Sequence, residues 1–359
     1  MLTEVPHLMF HERERKFLLM KKIQQKMDFD FFQELLNYDS TSGKEWEVAE
    51  WLVRTLPDMF PPSHRPDVRA DEVGDGTLNL YFTWGEPKIV FCTHLDTVPP
   101  YIAPKITKKE VRGRGACDAK GQVFSMITAC QKLAEEGCSD FGLLLLAGEE
   151  TGSWGAKAFA KTGVKADYLV VGEPTDNCMV SASKGTKSYD LKFTGEAFHS
   201  GYPDQGVSAV DLFVEFMNKL KEQKFDIDPI LGETTWNVGL LHSDNPQNIL
   251  SPELTCRLYF RTTFASDKAV TEWMEKAQGE RLAITARGGD TPAKYWTVDE
   301  LPSKWVAFGS DAPHLTNFKH KAICGPGTIA VAHRDDEHVL TADLEKAVKQ
   351  YVTLYKAIQ

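Results

Sequence analysis

No apolar run in this 359-residue chain is longer than Phe141 to Gly148. That is far short of the ~20 residues a membrane span needs, so no membrane partner is expected. Basic blocks are missing too. Lys and Arg number 41 against 51 Asp and Glu, a net charge of −10 spread along the chain. This argues against nucleic acid or an anionic membrane surface as partner. Cysteine is sparse and unpatterned: Cys92, Cys117, Cys130, Cys138, Cys178, Cys256 and Cys324 are odd in number and form no C-x-x-C pair. They read as reduced thiols and a cytoplasmic compartment. Residues 1–26 are rich in Lys and Arg and have no apolar stretch of the secretory-signal kind. They read as an N-terminal extension, with the first domain opening at Met27-Asp28-Phe29. Nucleotide and serine-hydrolase signatures are absent as well. There is no G-x-x-x-x-G-K-[ST] loop and no G-x-S-x-G elbow, and the single Gly113-Arg-Gly115 has Asp118 where a third glycine would stand.

What is present suits a folded chain of two domains, at about 150 residues each. Hydrophobic residues are 42% and charged residues 26%, ordinary values for a globular protein with a sizeable core. Asp28–Tyr38 has apolar residues at helical spacing, and Ser42 with Glu45 forms a capping box for a second helix ending near Leu56. Short apolar runs at Lys88–Thr93, Phe141–Ala147 and Tyr168–Val171 read as buried strands. They alternate with helices over Gln122–Glu136 and Trp154–Thr162. This is an α/β pattern with a mainly parallel sheet. From Lys184 the texture changes to polar–apolar alternation at Ser188–Gly195, Thr235–Leu241 and Glu253–Thr262, with helices at Val207–Glu222 and Ser266–Gln278. That order predicts an open α+β sheet with helices on one face. After about Asp290 the α/β texture returns, with a strand at Ala322–Cys324 and a closing helix over Thr341–Ala357. The expectation is a catalytic domain of residues 27–183 and 291–359, interrupted by a smaller domain of residues 184–290.

Five acidic or histidine clusters fall at the ends of predicted strands, where α/β proteins place their sites. They are His94-Leu-Asp96, Asp118 within G-A-C-D-A-K-G, Glu149-Glu150, Glu173 within G-E-P, and His333 within A-H-R-D-D-E. In His94-Leu-Asp96 the two side chains share one face of an extended backbone, so the carboxylate can orient the imidazole. Singly each cluster has a plain alternative: Asp118 could cap the following helix, and a Glu pair is usually solvated surface. Together, two histidines and several carboxylates fit a site for divalent metal such as zinc. Without cations their mutual repulsion would be costly.

The motifs T-H-L-D-T-V-P (93–99), G-A-C-D-A-K-G (115–121), A-G-E-E-T-G-S (147–153), G-E-P-T (172–175) and A-H-R-D-D-E (332–337) resemble the M20 dinuclear zinc amidohydrolases and metallopeptidases. The resemblance runs in order from residue 29 to the C-terminus. It implies a zinc-dependent exopeptidase-like catalytic domain plus an inserted ferredoxin-like domain that dimerises and acts as a lid. It also implies two zinc ions per subunit, with cobalt as a possible substitute. One would be held by His94, Asp118 and Glu173, the other by Asp118, Glu150 and His333, with Asp118 and a water bridging. Glu149 would be the general base and Asp96 the partner of His94. His338 is a rival ligand, but the family's histidine precedes the Glu that is here Glu337 by four residues, which selects His333. The segment from Phe198-His199 to Ala209 is similar to the family's lid motif, implying that His199 stabilises the oxyanion from the partner subunit of a homodimer. Asn248 and Arg261 match positions that hold a substrate carboxylate, although Ser251 stands where the family's pattern has proline. Gly309-Ser310-Asp311, with Ser310 towards substrate, and Gly325-Pro326-Gly327 look like substrate-pocket loops.

The implied activity is hydrolysis of the amide of an N-acyl amino acid. N-acetyl- or N-succinyl-ornithine or citrulline is the expected substrate, with a role in arginine biosynthesis. The alternative is a dipeptidase or carboxypeptidase on the same metal site, because the metal motifs do not separate the two. A non-catalytic binding protein on this fold is the third reading. The presence of every ligand and of the base argues against it.

Overall fold

The computed structural model describes residues 27–74 and 76–359; the extension expected over residues 1–26 lies outside the described residues. Helices α1 (Phe29–Asn37) and α2 (Trp46–Thr55) lead into strands β1 (Asp67–Glu72), β2 (Leu78–Trp84) and β3 (Ile89–His94). The short strands β4 (Lys105–Ile106) and β5 (Glu110–Arg112) follow, then α3 (Lys120–Glu135), β6 (Phe141–Leu146), α4 (Trp154–Phe159), β7 (Ala166–Val171) and β8 (Met179–Ser183). The next segment holds β9 (Gly185–Thr194), α5 (Ala209–Glu222), β10 (Thr235–His242), β11 (Glu253–Thr262), α6 (Asp267–Ala277) and β12 (Leu282–Gly288). The chain ends with β13 (Ala293–Lys294), β14 (Ser303–Val306), β15 (Phe318–Ile323), β16 (His338–Leu340) and α7 (Thr341–Lys356).

The large sheet has the order β1-β2-β6-β3-β7-β15. Its β6-β3, β3-β7 and β7-β15 pairings are parallel, whereas β1-β2 and β2-β6 are antiparallel, so the sheet is mixed. β3 and β6 are buried along their whole length, as strands covered on both faces must be. Alternation splits their side chains between two cores. Phe91, Leu143 and Leu145 pack with α1, α2, α3 and α7, while Val90, Cys92, Leu144 and Leu146 pack with α4 and Phe318. Phe32 of α1 stacks on Phe124 of α3 at 4.6 Å between ring centroids. The Asp28 carboxylate caps α1 by accepting from the Phe31 amide at 3.1 Å, a contact typically worth about 1 kcal/mol.

The second sheet, β10-β11-β9-β12, is antiparallel throughout. β11 alternates buried and half-buried residues, so only one face is covered. Phe216 and Leu220 of α5 and Val270 and Met274 of α6 cover it, forming a third core with Leu191, Phe193, Leu258 and Phe260. The chain enters and leaves this unit side by side. The Thr186 amide donates to the Asp290 carbonyl at 2.8 Å, and the Asp290 amide to Thr186 Oγ1 at 3.0 Å. A side chain at Gly185 would put its Cβ 2.5 Å from the Asp290 carbonyl, so the crossing needs glycine.

One local expectation is corrected. Ser42 and Glu45 do not form a capping box. α2 starts at Trp46, Glu45 makes no side-chain cap, and the Ser42 hydroxyl instead donates to Asp96 at 2.7 Å. Glu45 is fully buried and accepts from the Gly43 and Gly148 amides. A capping box satisfies donors within one helix end, whereas here each side chain bonds a partner more than 50 residues away. Among the described residues no helix is long and apolar enough to cross a membrane.

Candidate active site

The central strands deliver their acidic and histidine residues to one edge. His94 ends β3 and Asp96 follows it. Glu149 and Glu150 follow β6, and Glu173 lies just beyond β7. Asp118 is brought in by the turn before α3, and His333 by the loop between β15 and β16, where it adopts a left-handed φ of 64°. Asp118 does not cap α3: the N-cap is Ala119 and no side chain serves it.

The Asp118 carboxylate sits between the two histidines. Its Oδ1 lies 3.2 Å from His94 Nε2 and its Oδ2 lies 3.3 Å from His333 Nε2. His333 Nε2 is also 3.0 Å from Glu150 Oε1. His94, Asp118 and Glu150 each bring a ligand atom within 4.8 Å of the others. Glu173 is buried beside them, and its Oε1 has no hydrogen-bond partner among the described residues.

Electrostatics show how unusual this grouping is for protein atoms alone. Burial pushes Glu173 well above the usual carboxylate range, and repulsion from Glu149 and Asp118 adds to the rise. Burial does the same to Glu149, with His94 pulling back and Asp311, Glu150 and Asp118 reinforcing it. Burial works against a charged His94, but hydrogen bonds to Asp118 and Asp96 outweigh it and raise the imidazole strongly. Hydrogen bonds to Asp118 and Glu150 carry His333 up to about 10. Burial opposes charge on Asp118, yet bonds to the two histidines hold it well below the usual range. A buried carboxylate oxygen with no donor, two imidazoles on one carboxylate and further acids alongside form a donor set suited to divalent cations. His94, Asp118, Glu150, Glu173 and His333 are the residues that could hold them.

Supporting contacts fix this arrangement. His94 Nδ1 faces the Asp96 carbonyl at 2.9 Å and the Asp96 carboxylate at 3.3 Å. The Asp96 carboxylate also accepts from the Glu149 amide at 3.0 Å, the Glu150 amide at 3.1 Å and Ser42, tying the acidic loop to β3. Glu337, fully buried, accepts from the Cys117 and Asp118 amides and pairs with Arg114 at 2.6 Å, which holds the Asp118 turn.

Arg261 and Ser310 line the same cleft of about 300 Å³ as Asp118, Glu149, Glu150 and Glu173. His199 and Asn248 do not. Both are exposed and neighbour each other on the second unit, where His199 pairs with Ile249 and Ser200 donates to the Asn248 carbonyl. His338 is turned away in β16, its Nδ1 on the Asp336 carbonyl at 2.8 Å. Sequence reasoning missed two contributors, Ser42 and Asp290, and had Asp311 only as part of a pocket loop. Asp311 is buried and bonded to Ser153, and burial raises it to about 6. The Gly309-Ser310-Asp311 loop was the only signal for it.

A profile of peptidase family M20/M25/M40 matches residues 90–357. A probable carboxypeptidase of Ajellomyces capsulatus is 30% identical, with 95% of this chain and 88% of that protein covered. A peptidase M20 domain-containing protein of Schizosaccharomyces pombe is 28% identical, with 88% and 81% covered. Among solved structures, a tripeptidase from Staphylococcus aureus superposes with a TM-score of 0.78 at 20% identity, covering 93% of this chain and 98% of that one. An M20 family metallo-carboxypeptidase from Sulfolobus solfataricus gives 0.69 at 17% identity, covering 91% and 98%.

Proposed function

Because the chain belongs to peptidase family M20/M25/M40, we propose that it is a metal-dependent peptidase releasing amino acids from short peptides, as a carboxypeptidase or dipeptidase. The observation that carries this reading is the shared cleft, in which Arg261 stands in the same cavity as the His94–Asp118–Glu150 cluster. A guanidinium there suits a free substrate carboxylate, which it can grip with two parallel hydrogen bonds. The relatives carry carboxypeptidase and peptidase names, which favours peptide cleavage over the deacylation of N-acyl ornithine or citrulline.

His94, Asp118 and Glu173 would hold one zinc ion, and Asp118, Glu150 and His333 the other. Bound there, the ions would supply Lewis acidity towards the amide carbonyl and an ionised water near neutral pH. Glu149, next to these ligands but assigned to none, takes the water's proton and returns it to the leaving amine. Burial first, and then the neighbouring acids, raise its proton affinity, the direction that suits a carboxylate which must take up a proton and pass it on. Asp96 orients His94 and, through its bonds to the Glu149 and Glu150 amides, the base itself. Arg261 positions the substrate's carboxylate. His199, exposed and outside the cleft of its own chain, would reach the oxyanion from the partner subunit of a homodimer.

The test is amine release by zinc-loaded protein from dipeptides, C-terminally blocked peptides, N-acetylornithine, N-succinylornithine and N-acetylcitrulline, each with and without chelator. Chelator-sensitive cleavage of peptides with a free carboxylate, well above all other substrates, is the expected result. Preferential turnover of an acylated ornithine or citrulline would replace the peptidase reading with the deacylase one.

A further inference from the structure

The cleft holds one carboxylate that neither the metal cluster nor the general base uses. Asp290 lines it on the side where the chain returns from the second unit. It is placed by the Thr186 crossing, and Thr186 is itself the register partner of Arg261. Arg261, Thr186 and Asp290 thus lie side by side across three adjacent backbone segments, and all three line the cavity. Two strand spacings separate Arg261 from Asp290, about 10 Å between backbones. One Asp290 oxygen lies 3.4 Å from His314 Nε2. The other makes no hydrogen bond among the described residues. The side chain keeps about a quarter of its surface exposed (28%). The His314 hydrogen bond holds its carboxyl below the ordinary value despite partial burial, and Lys157 adds to this, so Asp290 is an anion at neutral pH.

We propose that Asp290 is a specificity residue that takes the α-ammonium group of the substrate while Arg261 takes its carboxylate. The ligand class is then an unblocked, zwitterionic short peptide. This rests on the peptidase reading above and narrows it. The dimensions agree: at about 3.3–3.6 Å per residue a di- or tripeptide is about 7–11 Å long, the same scale as the about 10 Å between the two backbone segments. An N-acylated substrate has no cation to offer and leaves the free Asp290 oxygen facing an uncharged amide. Asp118, Glu149, Glu150 and Glu173 cannot substitute for Asp290, because the metal site and the base use all four.

The experiment compares zinc-loaded wild type, Asp290→Asn and Asp290→Glu on a dipeptide and a tripeptide with free amino termini and on their N-acetylated counterparts. Wild type should prefer the unblocked peptides. Asp290→Asn should lose at least about tenfold in kcat/KM on them, mainly through KM, as removal of one charge-assisted hydrogen bond predicts. Its rate on N-acetylated peptides should stay within about twofold, and Asp290→Glu should recover part of the loss. Equal losses on blocked and unblocked substrates, or no loss on the unblocked ones, would overturn the assignment while leaving the peptidase reading in place. A wild type that cleaves neither peptide class would remove the peptidase reading and this proposal with it. Equal zinc content and melting temperature in all three proteins keeps a disturbed crossing from imitating the expected result.

Discussion

Replacing Glu337 by Gln tests whether the Asp118 turn is held by charge. Arg114 and Glu337 are 2% and 0% exposed and meet at 2.6 Å, while the other Glu337 oxygen accepts from the Cys117 amide at 3.0 Å and the Asp118 amide at 3.1 Å. The glutamine has a single acceptor oxygen, so it serves either the two amides or the guanidinium. Arg114 keeps its bonds to the Pro100 and Arg334 carbonyls but loses its counter-charge in a buried setting. Stranding one member of a buried ion pair costs about 3–5 kcal/mol. With a urea m value of about 3 kcal/mol/M, the midpoint of the catalytic layer should fall by about 1 M or more. Zinc affinity should fall by about 10–100-fold, since the turn that presents Asp118 is loosened. Arg114→Met combined with Glu337→Gln should regain much of the stability, because the stranded charge is gone and the amide oxygen can turn to the two backbone donors. Urea titration and competition for zinc with a metallochromic chelator read both effects. A loss under about 1 kcal/mol for the single variant, or a double variant no more stable than it, would refute the reasoning.

Three other predictions follow from the site. Glu149→Gln should lower kcat by about 10²–10⁴-fold with zinc content unchanged, the contribution expected of a general base; loss of zinc would make Glu149 a ligand. His199→Ala should lower kcat strongly with zinc retained, and mixing it with Glu149→Gln protein should restore activity, because a mixed dimer has one site with both groups intact. If subunit exchange is verified and no activity returns, His199 does not act across the dimer. Zinc binding should release protons at pH 7 and weaken as pH falls. His94 and His333 carry raised values through their carboxylate partners, His333 near 10, so each holds a proton that the metal must displace. Calorimetry in buffers of differing ionisation enthalpy measures the release, and proton uptake on binding would contradict it.

The large-scale order of the fold was legible because the periods differ. The unbroken apolar runs of β3 and β6 and the alternation in β11 point to different sheets, and the structure contains both kinds. Among the candidate ligands, His94, Glu150 and Glu173 were legible because each ends or follows a strand that could be seen, whereas Asp118 and His333 lie in loops and were legible only through the motifs around them. Supporting contacts were harder to read. Asp96 does face His94, but its carboxylate also ties Ser42, Glu149 and Glu150 together, a role set by loops more than 50 residues apart. For the same reason Ser42 and Glu45 looked like a helix cap: local spacing fits one, and only the tertiary arrangement offers better partners. The three-stranded sheets β13-β8-β14 and β16-β5-β4 also escaped notice, since strands of two to five residues carry too few side chains to show a period.

The paired crossing at Gly185 and Asp290 bears on how such a molecule can be rebuilt. Since the inserted unit begins and ends at one place, a turn of a few residues could join the two halves of the large-sheet unit without spanning any distance. The same geometry lets the unit be exchanged whole, its pocket wall changing while the ligand cluster stays behind. Arg261 and Asp290 would travel with it, so a graft should transfer a preference for substrate ends independently of the hydrolytic chemistry.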